Sequence, residues 1–276
     1  MDTKLQLRTH RRWDGLTADA VALLTSARED PFAIPLLVSP STAHARAVGQ
    51  AVADEVGVAA GLQGKTASAL RRELSQSLLD MDPQVDPWSG SALTLRIFDL
   101  LRPDDPNMAA VSEHVQACRV RGIAHADWTT AQQFSAVLQS LIHHSPAVLE
   151  QWRAGEDVDA EGSALPWDKA WWPHVWRLLH DDGHPDPMTQ LTQLCSALGA
   201  APLRWPSCVW ISPAAPEWQD YSLAQALSRR IPVTVLHLLP ACAEHSRWEP
   251  FNSVREHTNL RLSLIHISEP TRLRRI

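Results

Sequence analysis

Residues 34–56 constrain the fold most tightly. The apolar run Ile34-Pro35-Leu36-Leu37-Val38 breaks at Ser39-Pro40-Ser41-Thr42 and continues as Ala43 to Val56, rich in Ala and Val. A short apolar run bounded by turn residues, then a small-residue stretch with few large polar groups, predicts strand, loop and helix. In nucleotide-binding α/β proteins that unit carries the phosphate loop. Here the loop has neither glycine nor lysine, so its backbone cannot wrap a phosphate and no ammonium meets one. The architecture points to an NTPase and the chemistry of the loop opposes it.

The flanking sequence extends the same pattern. Leu5 to Arg12 alternates apolar and basic residues and is expected as a first strand, and Thr17 to Arg28 as a helix capped by Thr17 with Leu16 against its first turns. Ala67 to Leu79 reads as a further helix. A Pro- and Asp-rich linker, Asp82 to Trp88, then opens a long helical stretch. Helices are expected over 91–101, 107–121, 129–143, 146–153, 167–179 and 188–198, with an acidic loop at 155–166. Thr129 or Thr130 caps the third, whose buried stripe is Phe134, Val137, Leu138, Leu141 and Ile142; Trp172, Val175, Trp176 and Leu179 share one face of the fifth. The strand signal returns at Cys208 to Ser212, followed by a helix at Pro216 to Arg229 and a strand at Val233 to Leu239. Strands separated by helices favour parallel pairing through crossovers. The expected fold is therefore α/β, a P-loop-type parallel sheet lacking a working ATP site, with 1–80 and 201–261 forming the sheet domain and 81–200 a helical insertion.

Composition narrows the chemistry. A chain of 276 residues buries a sizeable core. Its formal net charge of −6 argues against a free-standing nucleic-acid binder but leaves room for one basic groove. Twelve Trp against one Tyr are read mostly as core or interface anchors before base-stacking platforms. Cys118, Cys195, Cys208 and Cys242 show no zinc or C-x-x-C spacing and no signal-peptide pattern, so reduced thiols in a cytoplasm are expected. No apolar run is long enough to span a membrane.

One motif runs against this reading. Ala59 to Thr66 fits the loosened P-loop pattern [AG]-x-x-x-x-G-K-[ST], in which Lys65 would meet β/γ-phosphates and Thr66 a magnesium ion. The plainer reading is a solvent-facing loop with a hydrated Lys65, because the preceding strand is short and no acidic partner follows. A P-loop ATPase needs a carboxylate at the end of a neighbouring strand. Here the later strands end in Ser212-Pro213 and Leu239-Pro240. The cluster His180-Asp181-Asp182-Gly183-His184 and the pair His143-His144 both sit at expected helix ends, where such side chains are solvated and favourably placed. No catalytic, cofactor or metal residue is assigned.

Residues 262–276 do not read as native protein. Leu262 to Arg272 looks like a translated sequencing-library adapter, with Leu273 to Ile276 as index sequence, and is expected to take no part in the fold. Without it Lys plus Arg falls from 25 to 22, Asp plus Glu from 31 to 30, and the charge becomes −8. On that reading the genuine chain stops near Arg261 and is a fragment.

Several segments carry a family resemblance by their order and spacing. Asp30-Pro31-Phe32, Val38-Ser39-Pro40-Ser41-Thr42-Ala43 and Gly57-Val58-Ala59-Ala60 resemble the N-terminus of the RecC family, the gamma subunit of exodeoxyribonuclease V. Pro146 to Trp152 with Gly155, Trp172-Pro173-His174-Val175-Trp176, Pro206 to Ile211 and Val233 to Cys242 are similar to later family segments. The resemblance implies an inactive helicase fold in a heterotrimer whose alpha and beta subunits carry the ATP- and magnesium-dependent motors and the nuclease. It implies a subunit that grips duplex DNA ends, helps split them and handles the emerging single strand. Thr42 matches a family residue near the DNA channel, Arg46 and Pro40 stand where the family has Gln, and Ser41, Thr42 and Arg46 are the expected DNA contacts. The family's Chi-reading positions appear as Ala136, Gln139 and Ser145, with Thr66 and Arg72 replacing an apolar-aromatic pair, so the resemblance does not carry that residue set over to this chain. Two alternatives stand beside this reading: a P-loop ATPase using Lys65, and a Trp-rich interaction scaffold without a DNA role.

Overall fold

Uninterrupted apolar strands need cover on both faces, and this chain supplies it with helices. The computed structural model describes residues 4–26, 34–59, 61–62, 64–82, 86–101, 108–180, 184–213 and 216–239. The segments Asp30-Pro31-Phe32, Asp181-Asp182-Gly183 and Leu262–Ile276, with Trp248 and Cys242, lie outside them. The chain divides into two compact units, one within Met1–Val85 and Thr189–Arg255, the other within Asp86–Met188.

The first unit holds five strands: β1 (Leu5–His10), β2 (Leu36–Val38), β3 (Gly64–Lys65), β4 (Cys208–Ser212) and β5 (Val233–Leu238). They form one sheet in the order β1-β5-β4-β2-β3, and every pair is parallel. Its helices are α1 (Trp13–Ser26), α2 (Thr42–Val56), α3 (Ala67–Leu79), then α9 (Pro187–Leu198) and α10 (Trp218–Ser228). Between α3 and α9 the chain builds the second unit from α4 (Gly90–Leu100), α5 (Ala109–Val120), α6 (Ala126–His144), α7 (Pro146–Arg153) and α8 (Trp172–His180).

Alternation along the strands sorts the core into two layers. Leu37, Val209, Ile211 and Leu236 point to one face and pack under Leu16, Ala20 and Leu24 of α1 and Val48 and Val52 of α2. Leu36, Val38, Cys208, Trp210, Val233 and Val235 point to the other, against Leu70 and Leu74 of α3, Leu194 and Leu198 of α9, and Leu223 and Leu227 of α10. Each fully buried aliphatic side chain contributes roughly 1.5–3 kcal/mol. Apolar strands covered twice are what all-parallel pairing requires. Steps from β1 to β2 and β2 to β3 pass over the α1/α2 face, whereas steps from β4 back to β5 pass over the opposite face. The crossovers therefore share one hand.

Three helix starts differ from the sequence expectation by three residues or more, each for a local reason. Helix α1 starts at Trp13, so Thr17 lies inside its first turns and its hydroxyl donates to Trp13 O at 3.0 Å instead of capping. Helix α6 likewise starts at Ala126, after His125 in the left-handed region at φ 53, and Thr130 donates back to Ala126 O. The expected helix 167–179 is broken: Trp167–Lys169 forms one tight turn and α8 begins at Trp172. Pro173 has no N–H and fits only the first turn of a helix, which fixes that start. The break also changes the face, for Trp171 is buried while Trp172 is half-buried, and Val137 of the α6 stripe is likewise half-buried. Elsewhere α3 and α7 match their expected limits, since Thr66 caps one and Pro146 opens the other. Trp152 and Trp176 are buried and donate to Val158 O and Leu149 O, which makes them core anchors of the second unit.

Candidate functional site

In a doubly wound sheet the place for a ligand is where successive crossovers diverge, beyond the carboxyl ends of the strands. Here that place lies between β2 and β4. The chain leaves β2 toward β3 on one side, and leaves β4 toward β5 on the other. The residues leaving these strands are Ser39 to Thr42 and Ser212, so the segment singled out by sequence sits at the switch point.

Its geometry is self-contained. Ser41 has extended backbone and its Oγ accepts the His44 N–H at 3.2 Å, the N-cap of α2. The same hydroxyl lies 2.8 Å from His44 Nδ1. Ser39 is buried, with its N–H donating to Lys65 O at 2.8 Å and its hydroxyl to Ser41 O. The His44 ring meets the Trp13 indole edge to face at 4.7 Å. Thr42 and Arg46 are exposed. Four residues apart, they share one face of α2. Of the three expected contacts, Ser41 is thus spent on capping, whereas Thr42 and Arg46 form an outward pair on a positively polarised helix start.

Sequence reasoning missed three side chains around this rim. His44 stands three residues after a Ser cap, a position from which a ring can reach back, but Trp13 has no local signal because its contact spans two helices. His237 of β5 is buried and its Nδ1 lies 2.8 Å from Ser212 O. Burial pushes its pKa below the usual imidazole range, partly opposed by that bond to Ser212. Burial also pushes the Cys208 thiol, in β4, far above its ordinary range.

The second unit of the same kind, β3 with α3, contains the P-loop-like motif. Gly64 and Lys65 are themselves the strand, and Thr66 caps α3 by accepting the Ala69 N–H at 3.2 Å. A phosphate loop leaves the carboxyl end of its strand. The motif residues before Gly64 enter β3 from its amino end. A Cβ on Gly64 would lie 2.2 Å from Ala45 Cβ, so this glycine serves close packing of β3 against α2. The hydrated Lys65 expected from sequence is corrected: its side chain is half-buried and its ammonium is ion-paired to Glu73 of α3, which also receives Arg204 at 2.6 Å. Lys65 is therefore anchored within its own unit.

Among the described residues, no helix is long and apolar enough to cross a membrane. The RecC N-terminal domain family model matches residues 5–264. The chain belongs to the RecC family. RecBCD enzyme subunit RecC of Mycolicibacterium smegmatis is 25% identical over 192 residues, covering 66% of this chain and 16% of that protein. The subunit of the same name from Mycobacterium tuberculosis is 26% identical over 199 residues, covering 66% of this chain and 17% of that protein. The matched part is thus about one sixth of the length of these RecC relatives.

Proposed function

We propose that this chain is the N-terminal region of a non-catalytic, DNA-handling gamma subunit in an exodeoxyribonuclease V complex acting in double-strand break repair by recombination. The sheet is read as a helicase-type scaffold whose ATP chemistry has been lost, with ATP and magnesium bound by the alpha and beta subunits and the complex working in the cytoplasm on duplex ends and single strands. One observation carries this reading: the switch-point loop after β2 caps its own helix and turns Thr42 and Arg46 outward. An exposed hydroxyl and guanidinium on a helix start suit backbone phosphates, where a site needs donors and not a catalytic set. RecC family membership supports the assembly, and the carboxylate-free ends of β4 and β5 support the absence of a motor.

The test uses the full-length gene product co-expressed with its beta-subunit neighbour. A stable complex that binds blunt duplex ends at low salt is expected, with Arg46→Glu weakening end binding about tenfold while the complex stays intact. Failure of the two subunits to associate, or end binding indifferent to Arg46→Glu and Thr42→Ala together, would overturn the assignment.

A further inference from the structure

Of the eleven described tryptophans, Trp167 alone is exposed, at 63%. Its backbone is nonetheless fixed. Lys169 N–H donates to Pro166 O at 2.9 Å, Ala170 N–H to Trp167 O at 3.2 Å, and the neighbouring Trp171 indole donates to Asp168 O at 2.9 Å. The Trp167 ring makes no ring contact among the described residues, so it is neither core nor part of the aromatic cluster of Phe134, Trp171 and Trp172. An indole exposed to solvent on a fixed turn has a cost in exposed apolar area that packing does not explain.

The ring borders a cavity of about 250 Å³ also lined by His174, Arg177 and Asp157. That is below the usual size of drug-sized pockets and suits one ring system. Arg177 is pinned there: its Nη1 donates to Trp152 O at 2.8 Å and to Asp157 Oδ1 at 2.7 Å. The Asp157 pair is partly exposed, so a phosphate can compete for the same guanidinium without stranding a buried charge. Arg177, His174 and the exposed Trp167 line one cavity, together with the Asp157 carboxylate that a phosphate would have to displace.

We infer that this pocket of the helical unit is a stacking site for one base of single-stranded DNA, with Trp167 as the platform and Arg177 and His174 at the adjoining phosphate. Stacking on an aromatic face is tolerant of sequence, and the bases of a duplex are already stacked on one another, so the site selects unpaired strands. The inference rests on the DNA-handling reading but concerns a different unit from Thr42 and Arg46.

The experiment measures anisotropy of a labelled oligothymidylate and of a blunt duplex against the full-length protein in its complex. Trp167→Ala should weaken oligothymidylate binding about tenfold, Trp167→Phe should retain most of it, and duplex-end binding should stay within about twofold. Arg177→Gln should weaken single-strand binding and reduce its salt dependence. Wild-type affinity in Trp167→Ala overturns the inference, as does loss of subunit association in that variant with DNA binding intact. If Arg46→Glu impairs end binding while Trp167→Ala changes nothing, the stacking site falls and the gamma-subunit reading stands. If the wild-type complex binds neither DNA, both fall.

Discussion

In the β2–α2 unit the helix opens on Ser41, and its first two turns carry Thr42 and Arg46 into solvent. In the neighbouring β3–α3 unit the helix opens on Thr66, and the one lysine near it is half-buried and ion-paired to Glu73. Both caps are hydroxyls accepting an N–H three residues on, at the same 3.2 Å. Local chemistry is thus nearly identical, and the position of each unit decides what it presents. Only β2 borders the point where the crossovers diverge, whereas β3 is an edge strand of two residues pressed against α2. The lesson is that a glycine-lysine-threonine string carries phosphate chemistry only when the loop leaves the right end of a strand.

The largest test of this comparison removes the close approach that explains Gly64. With Ala45 Cβ 2.2 Å and Leu37 Cδ2 3.3 Å from the added methyl, Gly64→Ala must push β3 away from α2. A loss of about 1–3 kcal/mol in urea unfolding is expected, the range for overpacking a filled core. A neutral Gly64→Ala would reopen the idea that this glycine is kept for a ligand.

How far the fold was legible follows from the range of each interaction. Strand Cys208–Ser212 was readable because five consecutive residues are buried in the middle of a parallel sheet, leaving an uninterrupted apolar run. Helices α3 and α7 were readable because Thr66 and Pro146 are local start signals. The break before Trp172 was missed although Pro173 marks it, because the apolar spacing continues across Trp167–Lys169. Strand order was not legible at all, since parallel crossovers leave the neighbour of each strand to tertiary packing. At the site the Ser41 cap could be read locally. The Trp13–His44 contact could not, nor could the Lys65–Glu73–Arg204 grouping, whose last pair is 131 residues apart in sequence. The misjudged hydration of Lys65 has a nearer cause: Glu73 is on α3, and it meets Lys65 only once β3 and α3 are packed together.

A smaller effect separates the two caps. Thr66→Ala removes one acceptor for the Ala69 N–H and should cost about 1 kcal/mol. Ser41→Ala removes the cap of α2 and also the partner of His44 Nδ1 at 2.8 Å, so its loss should exceed that of Thr66→Ala by a few tenths to about 1 kcal/mol. Urea midpoints of the two variants, compared at equal slope, decide it. Equal losses would mean that the His44 ring contributes nothing through Ser41 and that the two helix starts are energetically interchangeable.

The smallest effect is the most informative about function. Lys65→Met keeps the apolar stem and deletes the charge facing Glu73, whose carboxylate is more than a third exposed and keeps Arg204 at 2.6 Å. No buried charge is left alone, and screening by solvent holds the expected loss below about 1 kcal/mol. If Lys65 is only the tether of β3 to α3, titration calorimetry with ATP should give the same trace for wild type and Lys65→Met. Heat of ATP binding that vanishes with this substitution would move the functional centre from α2 to α3, because an ammonium held by Glu73 could then be released to a phosphate at a cost smaller than the binding it gains.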